Sequence, residues 1–189
     1  NRQRLLHAGL FGMTAMTARE GRMVLLPLVG VALDLRPSNI GILIAAGYAA
    51  DLVLFPLSGS VMDRFGRLAA TVPAYGLLAV GLLSLLVANS ASGVLVAGLV
   101  MGLGNGLSAG SLFTLSSDLA PSKGTASFLA GVSLLTDMGR VLGPLLVGMA
   151  ATWWGLDAAA VVLATVMVAG LVWLVWLVGE TGKVSTTQP

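Results

Sequence analysis

Long apolar segments constrain the fold of this chain more than any other feature of its sequence. Six segments are long enough to cross a bilayer as an α-helix, which takes about 20 mostly apolar residues. Their approximate bounds are Leu5–Leu33, Ile40–Met62, Ala69–Ala88, Val94–Leu119, Ala126–Trp153 and Ala158–Val178. We therefore predict an all-α membrane protein that crosses the lipid bilayer six times.

The scarcity of charge excludes most other classes of protein. Only 10% of the 189 residues are charged, against about 25% in soluble domains. A formal net charge of +2 is too small for a nucleic-acid-binding surface. With no cysteine and one histidine, we expect neither a metal site nor a cofactor. The sequence carries no activated nucleophile and no phosphate-binding loop, so we do not expect an enzyme.

The connections between the apolar segments are short and rich in turn-forming residues, so none could form a further domain. We expect one domain over residues 1–189, with a polar tail over 184–189. The first segment is interrupted by Arg19, Glu20 and Arg22, and its two parts are too short to cross separately. We interpret it as one span with a polar middle.

The distribution of basic residues predicts the orientation in the membrane. An even number of spans places both termini on one side, and that side also receives most of the positive charge. Its basic residues are Arg2, Arg4, Arg64, Arg67, Lys123 and Lys183. The opposite side receives only Arg36. We therefore predict a multi-pass protein of the plasma (inner) membrane with both termini in the cytoplasm.

The connection between the second and third segments carries the most specific motif. It reads Gly59-Ser60-Val61-Met62-Asp63-Arg64-Phe65-Gly66-Arg67. This sequence resembles the cytoplasmic signature loop of the major facilitator superfamily, G-x-x-x-D-R-x-G-R. Gly59 would let two helix ends approach closely, and Gly66 permits a left-handed turn. Asp63 can pair with a guanidinium, and Arg64 and Arg67 would hold the loop on the cytoplasmic side.

Two further glycine patterns lie in the fifth and fourth segments. The fifth reads Gly139-Arg140-Val141-Leu142-Gly143-Pro144-Leu145-Leu146-Val147-Gly148. It is similar to the antiporter motif G-x-x-x-G-P-x-x-G-G of that superfamily, with Val147 in place of a glycine. Glycines at 139 and 143 allow close packing and Pro144 bends the helix; the alternative is a packing ridge without a role in coupling. In the fourth segment, glycines at 98, 102, 106 and 110 predict a second ridge.

Members of the superfamily have twelve spans in two six-span halves, each built from two inverted three-span repeats. The resemblance therefore implies that this chain is one half, with repeats at about 1–90 and 91–183, and that its partner is the other half. The end of the sixth segment, Val178-Gly179-Glu180-Thr181, looks like the carboxyl end of such transporters. We favour the C-terminal half; the N-terminal half, which carries similar motifs, is the alternative.

The resemblance also implies a cluster of charges. Superfamily members combine the aspartate and arginine of the signature loop with an acid at the end of the fourth span, and the matching residues here are Asp63, Arg67 and Asp118. One arginine can bind both carboxylates through its planar fork. Such a cluster would act as a gating latch that stabilises one conformation. The alternative is an exposed ion pair worth less than about 1 kcal/mol.

Polar and ionisable residues inside the spans are candidates for the proton and substrate cavity, because such residues normally face a cavity or a partner. They are Arg19, Glu20, Arg22, Asp51, Asn105, Asp137 and Arg140. Asp137 and Arg140 share one helical face with Ser133 and Thr136. The structural alternative is a set of salt bridges, from Arg19 or Arg22 to Asp51 and from Arg140 to Asp137. Asn105 faces substrate or, as we prefer, bonds a neighbouring backbone.

The resemblance implies secondary active transport of a small organic solute by alternating access between the two halves. A carboxylate in the membrane can carry the coupled proton, with Asp51 as the favoured carrier and Glu20 as the alternative. The antiporter-like motif favours efflux of a drug or metabolite. Uptake of a sugar or organic acid is one alternative, and a non-transporting six-span scaffold is another.

Overall fold

The structure, a computed structural model, describes residues 2–108 and 110–179, and within these ranges it contains helices and no strand. The α-helices are α1 (Arg2–Ala32), α2 (Pro37–Phe65), α3 (Arg67–Ser84), α4 (Ala91–Leu107), α5 (Ser111–Leu119), α6 (Thr125–Trp154) and α7 (Leu156–Trp173). A 3₁₀ turn, Leu85–Val87, extends α3, and a π-helical turn, Leu174–Val178, extends α7. The all-α prediction is confirmed. Lys183, the Glu180-Thr181 pair and the polar tail 184–189 lie outside the described residues.

The lengths of the helices agree with a membrane protein. Within the described ranges, five helical segments are both long and apolar enough to cross a bilayer. They are Pro37–Phe65, Arg67–Val87, Ala91–Leu119, Thr125–Trp154 and Leu156–Val178. Helix α1 is also long enough, at 31 residues, but its charged middle makes it less apolar. It continues unbroken through Arg19, Glu20 and Arg22, as expected for one span with a polar middle.

The fourth segment differs from its prediction, because it forms two helices instead of one. Helix α4 ends at Leu107, and α5 begins after Gly110, whose φ of +75° is left-handed. The hydroxyl groups of Ser108 and Ser111 each donate to the backbone carbonyl three residues earlier, at 2.8 and 2.7 Å. Such local bonds compete with continuation of the helix. Ser58 of α2 donates to the carbonyl oxygen of Leu107 at 2.8 Å, and so satisfies an acceptor at the end of α4.

Glycines also make the tight connections between neighbouring spans. Gly66 has φ +97° between α2 and α3, where only glycine is unstrained, but its ψ of 167° differs from the left-handed turn that was expected. Gly124 before α6 and Gly155 before α7 have φ of +79° and +92°. At Gly66 and Gly155 a single residue separates two consecutive helices, whereas Gly124 ends a connection of five residues between α5 and α6.

Two helix pairs dominate the packing, α1 with α6 and α2 with α4. Each pair is in backbone contact at glycines. A Cβ atom at Gly102 or Gly106 would overlap the carbonyl oxygens of Gly47 or Asp51 on α2. The glycines of α6 work in the same way, because a Cβ atom at Gly139 or Gly143 would overlap carbonyl oxygens of α1.

If the first three spans are exchanged in order for the last three, α1 corresponds to α4, α2 to α6 and α3 to α7. The contact between α1 and α6 then becomes the contact between α4 and α2. The same exchange converts α3–α4 into α7–α1 and leaves α3–α7 unchanged, and all of these helices are in contact. This relationship is the one that two three-span repeats require. The repeats themselves, over about 1–90 and 91–183, stay a prediction.

Two glycines do not behave as their motifs suggested. Within the described residues nothing lies within 4 Å of the Cβ position of Gly59, so its expected close helix contact is not made inside this chain. Gly110 likewise faces open space there, and serves the left-handed turn instead of the ridge. Helix α6 is one helix that includes Pro144.

The glycine ridge predicts that the same substitution, glycine to alanine, has different effects on stability at two positions. Gly102→Ala should lower the free energy of unfolding by about 1–3 kcal/mol, because the methyl group forces α4 away from α2. Gly76→Ala is the matched control, since Gly76 lies inside α3 with nothing within 4 Å of its Cβ position among the described residues. It should be neutral or slightly stabilising. Thermal unfolding in nanodiscs measures both, and equal shifts would show that α2 and α4 do not depend on this contact.

Candidate functional site

A cavity of about 300 Å³ lies between α1, α5 and α6. Three charged side chains line it, Arg19 from α1 and Asp137 and Arg140 from α6. Its hydroxyl groups belong to Ser108, Ser116, Ser133 and Thr136. Its apolar wall is formed by Met16, Leu112, Phe113, Leu129 and Val132. The structure thus brings together three of the sequence-predicted candidates in one partly polar space.

Asp137 and Arg140 form an ion pair on the wall of this cavity, with Arg140 Nη1 at 3.2 Å from Asp137 Oδ1. Their side chains are 58% and 54% exposed. The salt bridge considered as a structural alternative therefore exists, but it is not buried between helices. It is open to whatever occupies the cavity.

Asp51 and Asn105 meet between α2 and α4, where Asn105 Nδ2 donates a hydrogen bond to Asp51 Oδ2. The preferred prediction for Asn105, a bond to a neighbouring backbone, is corrected, because its partner is a side chain. Asn105 is buried, and its Oδ1 atom has no hydrogen-bond partner among the described residues. No arginine of the described residues forms an ion pair with Asp51, so that structural alternative does not hold.

Arg22 and Glu20 lie away from the cavity. Arg22 is 4% exposed, and its Nε atom has no hydrogen-bond partner within the described ranges. Its side chain borders a small space together with Tyr48 and Gly47 of α2 and Gly98 of α4. Glu20 is half-buried and does not line the cavity that Arg19 lines. The sequence grouped these three charged residues of α1, and the structure separates them.

The signature loop and the end of α5 form the charge cluster that the resemblance implied. Arg67 Nε lies 3.0 Å from Asp118 Oδ2, and Arg67 Nη1 lies 3.2 Å from Asp63 Oδ1. Arg67 also donates to the carbonyl oxygen of Met62 at 3.3 Å. The two acids differ in exposure, since the side chain of Asp63 is 80% exposed and that of Asp118 is 26% exposed. Arg64 lies apart from these contacts, over the ring of Phe65 at 5.5 Å.

The start of α1 lies at the same end of the molecule as this cluster. Arg4 and His7 border a space of about 380 Å³ together with Asp118 and the end of the π-helical turn. Basic residues from α1 and the signature loop therefore gather at one end of the molecule. Which side of a membrane this end faces stays a prediction.

The contribution of α5 to the cavity was not predicted from the sequence. Hydropathy predicted one apolar span over residues 94–119, and neither Phe113 nor Ser116 was among the candidate residues. The structure instead forms a separate helix α5 after Gly110, and Phe113 and Ser116 on it line the cavity. The available signal was the concentration of serine around Gly110, which favours local hydrogen bonds over a continuous helix.

The sequence profile of the Major Facilitator Superfamily matches residues 8–189. The chain belongs to the major facilitator superfamily. A solved structure with the same fold is a peptide transporter, POT, in complex with alafosfalin; it has a TM-score of 0.79 and 19% sequence identity to this chain. The match covers 97% of this chain but only 40% of the transporter, so the chain spans less than half of that protein's length. No curated protein matches the chain. Membership of a family of transporters favours a membrane transporter over an enzyme.

The unequal exposure of the two acids predicts unequal effects of their neutralisation. Asp118→Asn removes the less exposed ion pair of Arg67 and should shift the conformational equilibrium by about 1–2 kcal/mol. Asp63→Asn removes a pair with an exposed partner and should shift it by less than about 1 kcal/mol. The chain contains no cysteine, so a cysteine can be introduced on the cavity wall by Ser133→Cys. The rate at which maleimide labels this cysteine measures how often the cavity is open.

Asp157→Asn, at the start of α7, is the control for charge removal away from the cluster. It should leave the labelling rate of Ser133→Cys unchanged. Equal labelling rates in Asp118→Asn, Asp63→Asn and the parent protein would mean that the cluster does not influence opening of the cavity.

Proposed function

We propose that this chain is one half of a secondary transporter, which moves a small organic solute by alternating access together with a second six-helix half. The cavity between α1, α5 and α6 is the observation that supports the proposal most strongly. Charged side chains inside membrane spans are unfavourable unless they face a cavity or a partner, and here three of them line one space of about 300 Å³. In this family fold, substrate sites lie near the bilayer midplane between the halves.

The proposal assigns the coupled proton to Asp51. Its carboxylate lies inside α2 and has an amide partner, Asn105, but no ion-pair partner among the described residues. An ionised Asp51 accepts from the amide group of Asn105. A protonated Asp51 can instead donate to the Oδ1 atom of Asn105 once the amide turns over, and that atom is unpartnered in the described residues. The pair therefore accommodates both protonation states without a buried ion pair.

The proposal assigns control of access to the cluster of Asp63, Arg67 and Asp118. Arg67 connects the signature loop to the end of α5, and α5 lines the cavity. A few kcal/mol is enough to set the populations of two conformations. Binding of substrate or proton would have to release these contacts before the cavity opens to the other side.

We favour efflux of a drug or metabolite over uptake. The support for this is the antiporter-like motif, whose Gly139 and Gly143 hold α6 against α1 while Asp137 and Arg140 face the cavity. Uptake of a small organic acid is the second candidate. It is supported by the arginines of the cavity wall, which suit an acidic solute. The direction of transport is determined by measuring whether the solute accumulates in the same direction as proton flow or in the opposite direction.

Asp51→Asn tests the coupling. In proteoliposomes that contain the complete transporter, this variant should lose proton-driven accumulation and keep exchange of solute across the membrane, because exchange needs no net proton movement. Asp34→Asn is the matched control, since Asp34 is exposed in the connection between α1 and α2 and asparagine tolerates its φ of +53°. Normal accumulation by Asp51→Asn would move the proton site to Glu20 or to the second half.

The half alone should not transport. Six helices supply only one wall of the substrate site, and alternating access needs two bundles that rock against each other. Solute flux into liposomes that contain this chain as a monomer should equal flux into empty liposomes. Solute flux above that of empty liposomes, produced by the monomeric chain, would contradict the proposal. Flux that appears only when the chain is a homodimer would show that a second copy supplies the missing half.

A further inference from the structure

We infer that the cavity between α1, α5 and α6 selects an amphipathic organic anion, and that Arg19 recognises its negative group. The inference rests on the proposed transport function and names the class of substrate. It depends on three properties of the cavity wall: its net charge, the hydrogen bonds that its hydroxyl groups already donate, and the apolar character of the rest of its surface.

The cavity wall carries one uncompensated positive charge. Its charged residues are two arginines and one aspartate, which gives a net charge of +1. Asp137 and Arg140 neutralise each other across 3.2 Å. Arg19 is half-buried and has no ion-pair partner among the described residues. A guanidinium inside a membrane protein needs a counter-charge, and Arg19 lines the cavity.

The nearby acids do not provide that counter-charge. Glu20 follows Arg19 in sequence, but it does not line the cavity and forms no ion pair within the described ranges. Asp51 bonds Asn105 between α2 and α4. The negative charge is therefore not supplied by the residues that the structure describes, and a bound solute can bring it.

The hydroxyl groups of the wall are mostly committed as donors. Ser108, Ser116 and Thr136 donate to backbone carbonyls of their own helices at 2.7–2.8 Å. They present lone pairs to the cavity, which suit donors on a solute but not an anionic group. The guanidinium of Arg19, which carries several donors in one plane, is then the best place for a carboxylate or a similar oxyanion.

The rest of the wall favours an apolar body. Phe113, Leu112, Leu129 and Val132 surround the polar groups. Ligand sites of this kind bind the bulk of a solute by apolar contact and orient it through a few polar groups. A sugar would leave most of its hydroxyl groups without partners, and an organic cation would meet the unpaired positive charge. One anionic group on a body about the size of one or two rings satisfies both parts of the wall.

Binding of a matched pair of probes tests the inference in the complete transporter, reconstituted in nanodiscs of zwitterionic lipid and measured by calorimetry without a proton gradient. The probes are 2-naphthoate and its uncharged amide, 2-naphthamide. The parent protein should bind the acid about tenfold more tightly than the amide, the usual effect of one charge-assisted hydrogen bond. Arg19→Leu should lose about tenfold in affinity for the acid and none for the amide, and Arg19→Lys should retain most of the affinity.

Two further variants separate recognition by Arg19 from general charge. Arg36→Leu, which removes a positive charge from the exposed connection before α2, should bind both probes as the parent does. Asp137→Asn frees Arg140 and should strengthen binding of the acid several-fold without affecting the amide. Equal melting temperatures in nanodiscs would establish that Arg19→Leu is folded.

Several results would overturn the inference. These are equal affinities of the parent for acid and amide, no binding of either probe up to millimolar concentration, or an unchanged preference in Arg19→Leu. Nanodiscs with anionic lipid provide a further arm of the test. If such lipid competes with the acid for the cavity and the acid is not transported, the occupant of the cavity is a lipid. A protein that binds the acid but never transports it would refute the transport proposal and leave the anion site standing. A protein that transports solute but binds both probes equally would refute the anion site and leave the transport proposal standing.

Discussion

Backbone contact between paired helices is the interaction on which the rest of this structure depends. In lipid, apolar side chains gain little by leaving one apolar environment for another, so helices associate through close packing and polar contacts. Here the carbonyl oxygens of α2 lie against Gly102 and Gly106 of α4, and those of α1 lie against Gly139 and Gly143 of α6. Glycine is needed at each of these positions because a single methyl group would fill the space taken by the neighbouring backbone.

These contacts also determine where the polar residues lie. Asn105 precedes Gly106, whose own neighbour is the backbone of Asp51, and this register brings the two side chains together. On α6, the glycines at 139 and 143 face α1, while Asp137 and Arg140 lie on the side that faces the cavity. On α6, close packing on one face therefore leaves a second face that lines the cavity.

The sequence predicted the helices and the charge cluster more fully than the cavity. Segment length and hydropathy are local properties, so the spans could be located, and the signature loop indicated the neighbourhood of Arg67 and Asp118 through family resemblance. The partner of Asp51 is 54 residues away along the chain, and nothing local specifies it. The same holds for α1, where Arg19 reaches the cavity and Arg22 is buried against α2 and α4. The break between α4 and α5 depends on hydrogen bonds that a hydropathy pattern does not represent.

The break gives α5 a specific place in the architecture. It is a helix of nine residues, about 14 Å long at the usual rise, and it carries cavity residues and Asp118 on one short rigid element. Phe113 and Ser116 line the cavity, and Asp118, two residues after Ser116, bonds Arg67 at the start of α3. A helix this short cannot bend enough to move one site and leave the other in place. Any displacement of α5 that changes the cavity wall therefore changes the contact between Asp118 and Arg67, so the site and the charge cluster are mechanically one unit.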